Sequence, residues 1–200
     1  PDALAGDEVA EAMSLCVSCK GCKRECPTGV DMAKMKIEAA HARARKHGIR
    51  LKDRIIAELP RWAPWAARLP GLANARDSVP GLAKLSERAL GLAAGRALPR
   101  FRRDAFRDEE AQRPGTGREV ILFADTFNRY YEPENLRDAV TVLAAAGHTV
   151  RPAAAPDGRP LCCGRTYLAA GMVEEARAEA RRTMEALSGS DLPVLGLEPS

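Results

Sequence analysis

Two hundred residues fit one ordinary domain or two small ones. With 46% hydrophobic residues the chain can bury a core, which excludes wholesale disorder, and with 4% aromatics that core is built mainly from Ala, Leu and Val. A net charge of +4, scattered along the chain, is too mild to argue for nucleic acid, and no apolar run approaches the ~18–20 residues needed to span a bilayer.

The first ten residues carry Asp2, Asp7 and Glu8 and no basic segment, so no secretory signal is read there. The chain starts with Pro1 rather than Met, and it is expected to be processed or cut from something longer. Residues 2–15 read as a short helix with acidic residues between apolar ones. A cysteine-rich loop follows, closed by Pro27. Asp31 is the expected N-cap of a second helix running to about Lys46, with Gly48 suited to the residue just past its end. From Leu59 to Pro99, prolines at 60, 64, 70, 80 and 99 are expected to cut the chain into short helical pieces. The echo Leu69-Pro70-Gly71-Leu72-Ala73 and Val79-Pro80-Gly81-Leu82-Ala83 is read as two helical turns, each started by its proline, since two copies fall short of a solenoid. Residues 100–118 are charged, end in Pro114, Gly115 and Gly117, and read as a linker.

Beyond residue 118 the period changes. Val120-Ile121-Leu122-Phe123-Ala124 is a strand covered on both faces. Pro133 to Ala146 is helical, with Leu136, Val140, Leu143 and Ala144 on one stripe and Gly147 as its stop. His148 to Ala153 is a second strand, Thr166 to Leu187 one long helix, and Pro193 to Leu197 a third strand. This order predicts a parallel α/β layout with three strands, interrupted by the end of the chain. The expected fold class is therefore α plus α/β: a helical region over 1–57, a Pro- and Arg-rich helical connector over 58–118, and a truncated α/β domain over 119–200.

The cysteines carry the chemistry. Cys16, Cys19, Cys22 and Cys26 fall within eleven residues, and Cys162 and Cys163 are adjacent. Cysteines this close on a tight loop make poor disulfide partners but good converging metal ligands, which favours a reducing, cytosolic setting. The run is C-x2-C-x2-C-x3-C followed by Pro27, the spacing of bacterial ferredoxin loops that hold 4Fe–4S clusters. Two-residue gaps let three thiolates turn inward together. Gly21 lets the backbone pass close, and Pro27 redirects the chain after the fourth cysteine. Zinc is the competing metal, but its sites usually draw ligand pairs from separated loops. Lys20, Lys23 and Arg24 would raise a cluster's potential or steer an acidic partner, or be plain solvated residues. Cys162 and Cys163, followed by Gly164, read either as metal ligands or as small apolar residues.

These residues also carry a family resemblance. Leu15 through Ala33 closely resembles the iron–sulfur region of FAD-linked oxidases fused to a ferredoxin-like, cysteine-rich tail, the relatives of D-lactate, D-2-hydroxyglutarate and glycolate dehydrogenases. Phe123-Ala124-Asp125-Thr126-Phe127-Asn128, Pro133 and Leu161-Cys162-Cys163-Gly164-Arg165 resemble the CCG-type module of the same tail, which is shared with heterodisulfide reductase. The resemblance covers about residues 10–50 and 118–200. It implies a 4Fe–4S centre on Cys16, Cys19 and Cys22, with Cys26 serving a second cluster whose other ligands lie upstream of Pro1, and Cys162 and Cys163 as further ligands. It also implies FAD bound by an upstream domain or flavoprotein subunit outside this chain, and an acceptor such as a quinone or cytochrome. No catalytic residue is implied within the chain. The setting implied is cytoplasmic, or peripheral on the inner face of the membrane. The alternative is an iron–sulfur or thiol module of a heterodisulfide-reductase-like complex, with a structural zinc protein as the third reading.

Three departures from the family stand out. Such proteins usually carry two ferredoxin-type cysteine runs, and one is present here. Thr126 takes a place where many CCG modules have cysteine, and Gly196-Leu197-Glu198-Pro199-Ser200 stops just before a further cysteine of the relatives. The remaining features read as structural. His41 and His47 sit on a basic helix face that reads as solvated, rather than as ligands or a nucleic-acid contact, and His148 opens a strand and reads as structural. Gly115-Thr116-Gly117 precedes a strand rather than following one, which excludes a dinucleotide fingerprint. Trp62 and Trp65, near Arg61 and Arg68, read as a packing surface for a domain outside the chain, with a membrane-surface contact as the alternative.

Overall fold

The computed structural model describes residues 2–197, and Glu198-Pro199-Ser200 of the expected C-terminal motif lies outside the described residues. The chain forms two compact units, one of residues 1–58 and 164–178, the other of residues 59–163 and 179–200. Helices dominate, and the sheet is small, parallel and three-stranded, as the α plus α/β reading anticipates.

The first unit is helical. Its expected N-terminal helix divides at Gly6, whose extended backbone (φ −67°, ψ 156°) separates a 3-10 turn at Asp2–Ala5 from helix α1 at Asp7–Ser14. Helix α2 spans Gly21–Glu25 and α3 spans Met32–His47. Asp31 caps α3 as expected, its side chain accepting from the Lys34 amide at 2.9 Å, and Gly48 ends it at φ 77°. Helix α4 (Leu51–Ala57) and helix α12 (Arg165–Ala169) pack together, and Ala57, Tyr167, Met172 and Ala176 form the buried centre. The long helix expected over 166–187 is in fact two, α12 and α13 (Val173–Leu187), parted by Gly171 at φ 76°. A Cβ there would fall 2.5 Å from the Ala40 carbonyl carbon, so the break is where α3 presses on a bare backbone.

The second unit is built on strands β1 (Glu119–Phe123), β2 (Thr149–Pro152) and β3 (Val194–Gly196), in the order β2-β1-β3. Glu119 pairs with Thr149 and Ile121 with Val194 at the start of each parallel ladder. Val120, Ile121 and Leu122 are all buried, as a central strand covered on both faces requires. On one face Val120, Leu122 and Val150 meet Leu136 and Val140 of helix α11 (Pro133–Ala145). On the other, Ile121 packs with Ala153, Ala155 and Leu161.

The stretch before β1 is not a linker. Phe101, Phe106 and Ala111, the last in helix α9 (Asp108–Ala111), are buried, Phe106 and Ala111 lie in the sheet core, and Arg113 exchanges backbone hydrogen bonds with Val150. Arg102, Asp104, Asp108 and Glu110 are held in ion pairs, while Phe101 and Phe106 go inward. Gly115 and Gly117 lie against the backbone of Gly147 and His148, which accounts for both glycines without a nucleotide. The prolines cut the connector less than expected. Helix α5 (Leu59–Arg68) contains Pro64, Pro70 starts α6 (Pro70–Ala73), and α7 (Ala75–Ser78) and α8 (Leu82–Leu90) follow. Pro80 does not start α8. It sits in the preceding turn, ahead of Gly81 in the left-handed region at φ 87°. Trp62 packs on Phe101 within this unit, ring centroids 5.4 Å apart, which corrects its reading as an outward surface. Trp65 is exposed, under the Arg68 guanidinium. Among the described residues no helix is long and apolar enough to cross a membrane.

Candidate functional site

The N-terminal cysteines lie between α1 and α3. The Cys16 amide closes the end of α1 on the Met13 carbonyl at 3.2 Å, and the chain then reverses sharply. Ser18 and Lys20 both hold φ 59°, a left-handed conformation that side chains other than glycine seldom adopt. Two such residues within three positions bend Cys16–Lys20 into a tight loop, and α2 carries Cys22 on its first turn. The Cys26 amide ends α2 on the Cys22 carbonyl at 2.8 Å, and Gly29, at φ 69°, completes the turn after Pro27. Cys16, Cys22 and Cys26 are half-buried and Cys19 is exposed.

Backbone donors and a hydroxyl are turned onto the sulfurs. The Ser18 amide donates to Cys16 Sγ at 3.4 Å, and the Met32 amide, at the start of α3, donates to Cys22 Sγ at 3.3 Å. Cys26 Sγ and Thr28 Oγ1 are 3.1 Å apart. The Thr28 hydroxyl, helped by the Val30 and Thr28 amides, lowers the Cys26 thiol from its ordinary range and so favours thiolate. A Cβ on Gly21 would stand 3.7 Å from Cys19 Sγ, an ordinary contact, so a close approach to that sulfur does not by itself require the glycine. Lys23 pairs with Asp31 at 3.7 Å, while the Lys36 ammonium reaches back from α3 to the Cys16 carbonyl.

The four thiols therefore share one loop, though they are not drawn to a point. Among the described residues no three His, Cys, Asp or Glu side chains are gathered as a metal site would hold them. The donor set nonetheless suits iron and sulfide in kind. Thiolates are the ligands such clusters take, and amide hydrogen bonds to sulfur are among the features that set their potential.

The second cysteine pair sits after the sheet. Cys162 is buried and its carbonyl accepts from the Thr183 hydroxyl at 3.0 Å, whereas Cys163 is exposed. Gly164 follows at φ 81°, where a Cβ would come within 2.9 Å of the Ala176 carbonyl oxygen, so this turn does require glycine. At the carboxyl end of β1, Asp125 caps helix α10 (Thr126–Tyr130). Its buried carboxylate accepts from the amides of Phe127 (2.9 Å) and Asn128 (3.0 Å) and from Asn128 Nδ2 (2.6 Å), and Asn128 Oδ1 accepts from Asn135. Thr126 is buried beside this network.

His148 is structural, as expected, whereas His41, read as part of a solvated basic face, is half-buried and bonded to backbone. His41 Nδ1 is 2.9 Å from the Gly171 carbonyl, and His148 Nδ1 is 3.1 Å from that of Arg118. Sequence reasoning passed over Met32 and Lys36. The Asp31 cap places residue 32 at the start of α3 and residue 36 one turn further along, but it carries no sign that the helix returns to the loop.

Neither a family model nor a solved structure matches the chain. Among curated proteins it is similar to the D-2-hydroxyglutarate dehydrogenase of Pseudomonas putida, 27% identical over 212 residues, covering 96% of this chain and 20% of that protein. The proteins of the same name from Escherichia coli (23% over 210 residues) and Pantoea ananatis (21% over 211) are covered to the same extent. The chain thus spans about a fifth of the length of these curated relatives.

Proposed function

We propose that this chain is the iron–sulfur electron-transfer part of an FAD-linked 2-hydroxy-acid dehydrogenase. It would carry electrons from a flavin bound outside the chain toward an acceptor such as a quinone or cytochrome. The observation that carries the reading is the Cys16–Cys26 loop, where four thiols fall within eleven residues and hydrogen-bond donors already face the sulfurs of Cys16 and Cys22. The names of the relatives make D-2-hydroxyglutarate the first substrate to try on the intact protein.

Cys16, Cys19 and Cys22 would hold one 4Fe–4S centre and Cys26 would serve a second, completed by residues outside the chain. When bound, such a centre takes up and releases single electrons. The chain's own groups supply the setting. The Ser18 and Met32 amides offset charge on the Cys16 and Cys22 sulfurs, and the Thr28 hydroxyl does so for Cys26. Lys20, Lys23 and Arg24 add positive charge along the loop. In this reading residues 1–57 are the redox-active part, and 119–200 form an incomplete CCG-type domain. Cys162 and Cys163 are secondary candidates there, and buried Thr126 occupies the place of one ligand.

Anaerobic reconstitution of the intact protein tests the proposal. Uptake of iron and sulfide in equal amounts, a broad brown absorption and a paramagnetic signal on reduction are expected. A colourless protein that binds zinc tightly and stays spectroscopically silent would refute it.

A further inference from the structure

We infer that Lys36 is a positioning residue for the centre held by the N-terminal loop, an inference that rests on the iron–sulfur reading above. Helix α3 grips the loop twice, one turn apart on the same face. The Met32 amide holds the Cys22 sulfur, and the Lys36 ammonium holds the carbonyl of Cys16, the first thiol of the run. Through these two contacts α3 fixes both ends of the Cys16–Cys22 segment.

The charge on Lys36 is the second part of the argument. Its side chain is half-buried, and Lys36 lines one cavity with Ala10, Met13, Ala39 and Ala40. Two nearby cations have carboxylate partners, Lys23 with Asp31 and Arg43 with Asp7. Lys36 has none among the described residues. Holding an ammonium partly out of water without an opposite charge is costly, so the fold retains it against something negative. A cubane held by thiolates is net negative and gains one further negative charge on reduction. A fixed cation at the Cys16 carbonyl therefore stabilises the reduced form more than the oxidised one, and it raises the potential.

Wild-type, Lys36→Met and Lys36→Arg forms of the intact protein, reconstituted anaerobically, separate the outcomes. The readouts are midpoint potential by redox titration with EPR, and the rate of iron loss to a chelator. Lys36→Met is expected to shift the potential to more negative values and to speed iron loss about 10-fold or more, the usual consequence of removing a group that supports a ligand. Lys36→Arg is expected to return both toward wild type. An unchanged potential in Lys36→Met, or an Arg variant that behaves like Met, overturns the inference. If Lys36→Met holds no centre at all, amide hydrogen exchange over residues 16–18 in the centre-less proteins decides. Faster exchange than in centre-less wild type supports the grip, and equal exchange overturns it. A wild-type protein that takes up no iron and sulfide counts against the iron–sulfur reading, and the exchange comparison then tests Lys36 by itself.

Discussion

Replacing Asp125 by Ala should be among the most damaging single changes in the sheet unit, and the loss follows from its hydrogen bonds. The carboxylate satisfies two backbone amides at the start of α10, a cap whose removal costs about 1 kcal/mol. It also accepts from Asn128 Nδ2. Asn128 cannot turn over to find another partner without giving up Asn135, which donates to its Oδ1 at 2.8 Å. The mutation therefore leaves a donor unpaired on a side chain only 6% exposed, costing a further ~1–3 kcal/mol. The sum is about 2–4 kcal/mol. Both tryptophans, Trp62 and Trp65, belong to this unit, so urea unfolding followed by their fluorescence reports on it directly. With a slope of about 1–3 kcal/mol/M, a loss of about 3 kcal/mol lowers the midpoint by roughly 1–3 M without changing the slope. Asp125→Asn should recover only the cap, about 1 kcal/mol, because its amide would face that of Asn128. A loss below about 1 kcal/mol for Ala, or full recovery by Asn, would show that the network contributes nothing beyond ordinary capping.

Two further outcomes follow from other contacts. Gly171→Ala should destabilise the helical unit by about 2 kcal/mol or more, since the new methyl meets the Ala40 carbonyl and the backbone is held at φ 76°; thermal unfolding by circular dichroism and amide exchange in α3 and α12 measure it. In the sheet unit, the Arg137 guanidinium beside Glu110, at 2.7 Å, holds that carboxyl below its ordinary value of 4.5. A carboxyl lowered in the folded state contributes stability that is complete above its unfolded value and is lost as pH falls through the folded one. Stability measured from about pH 6 down to about pH 3 should thus fall more steeply in wild type than in Glu110→Gln, and parallel curves would rule the pair out as a contributor.

The features legible in the sequence lie close along the chain. The cysteine spacing, the Asp31 cap, the stop at Gly48, the buried run of β1 and the stripe of α11 each rest on residues within a turn or two of one another, and each is present where local chemistry puts it. The features that sequence did not reveal involve partners far apart along the chain. The break at Gly171 exists because α3 presses on it, and the charged stretch before β1 is packed because Phe106 finds the sheet core. Trp62 turns inward because Phe101 is there to meet it. The return of Lys36 to the Cys16 carbonyl belongs to the same class, because neither residue's neighbours in sequence encode the fold that brings α3 back over the loop. Caps, periods and left-handed turns are paid for locally, whereas burial and clash depend on which distant surface arrives, and that is set only when the chain has closed on itself.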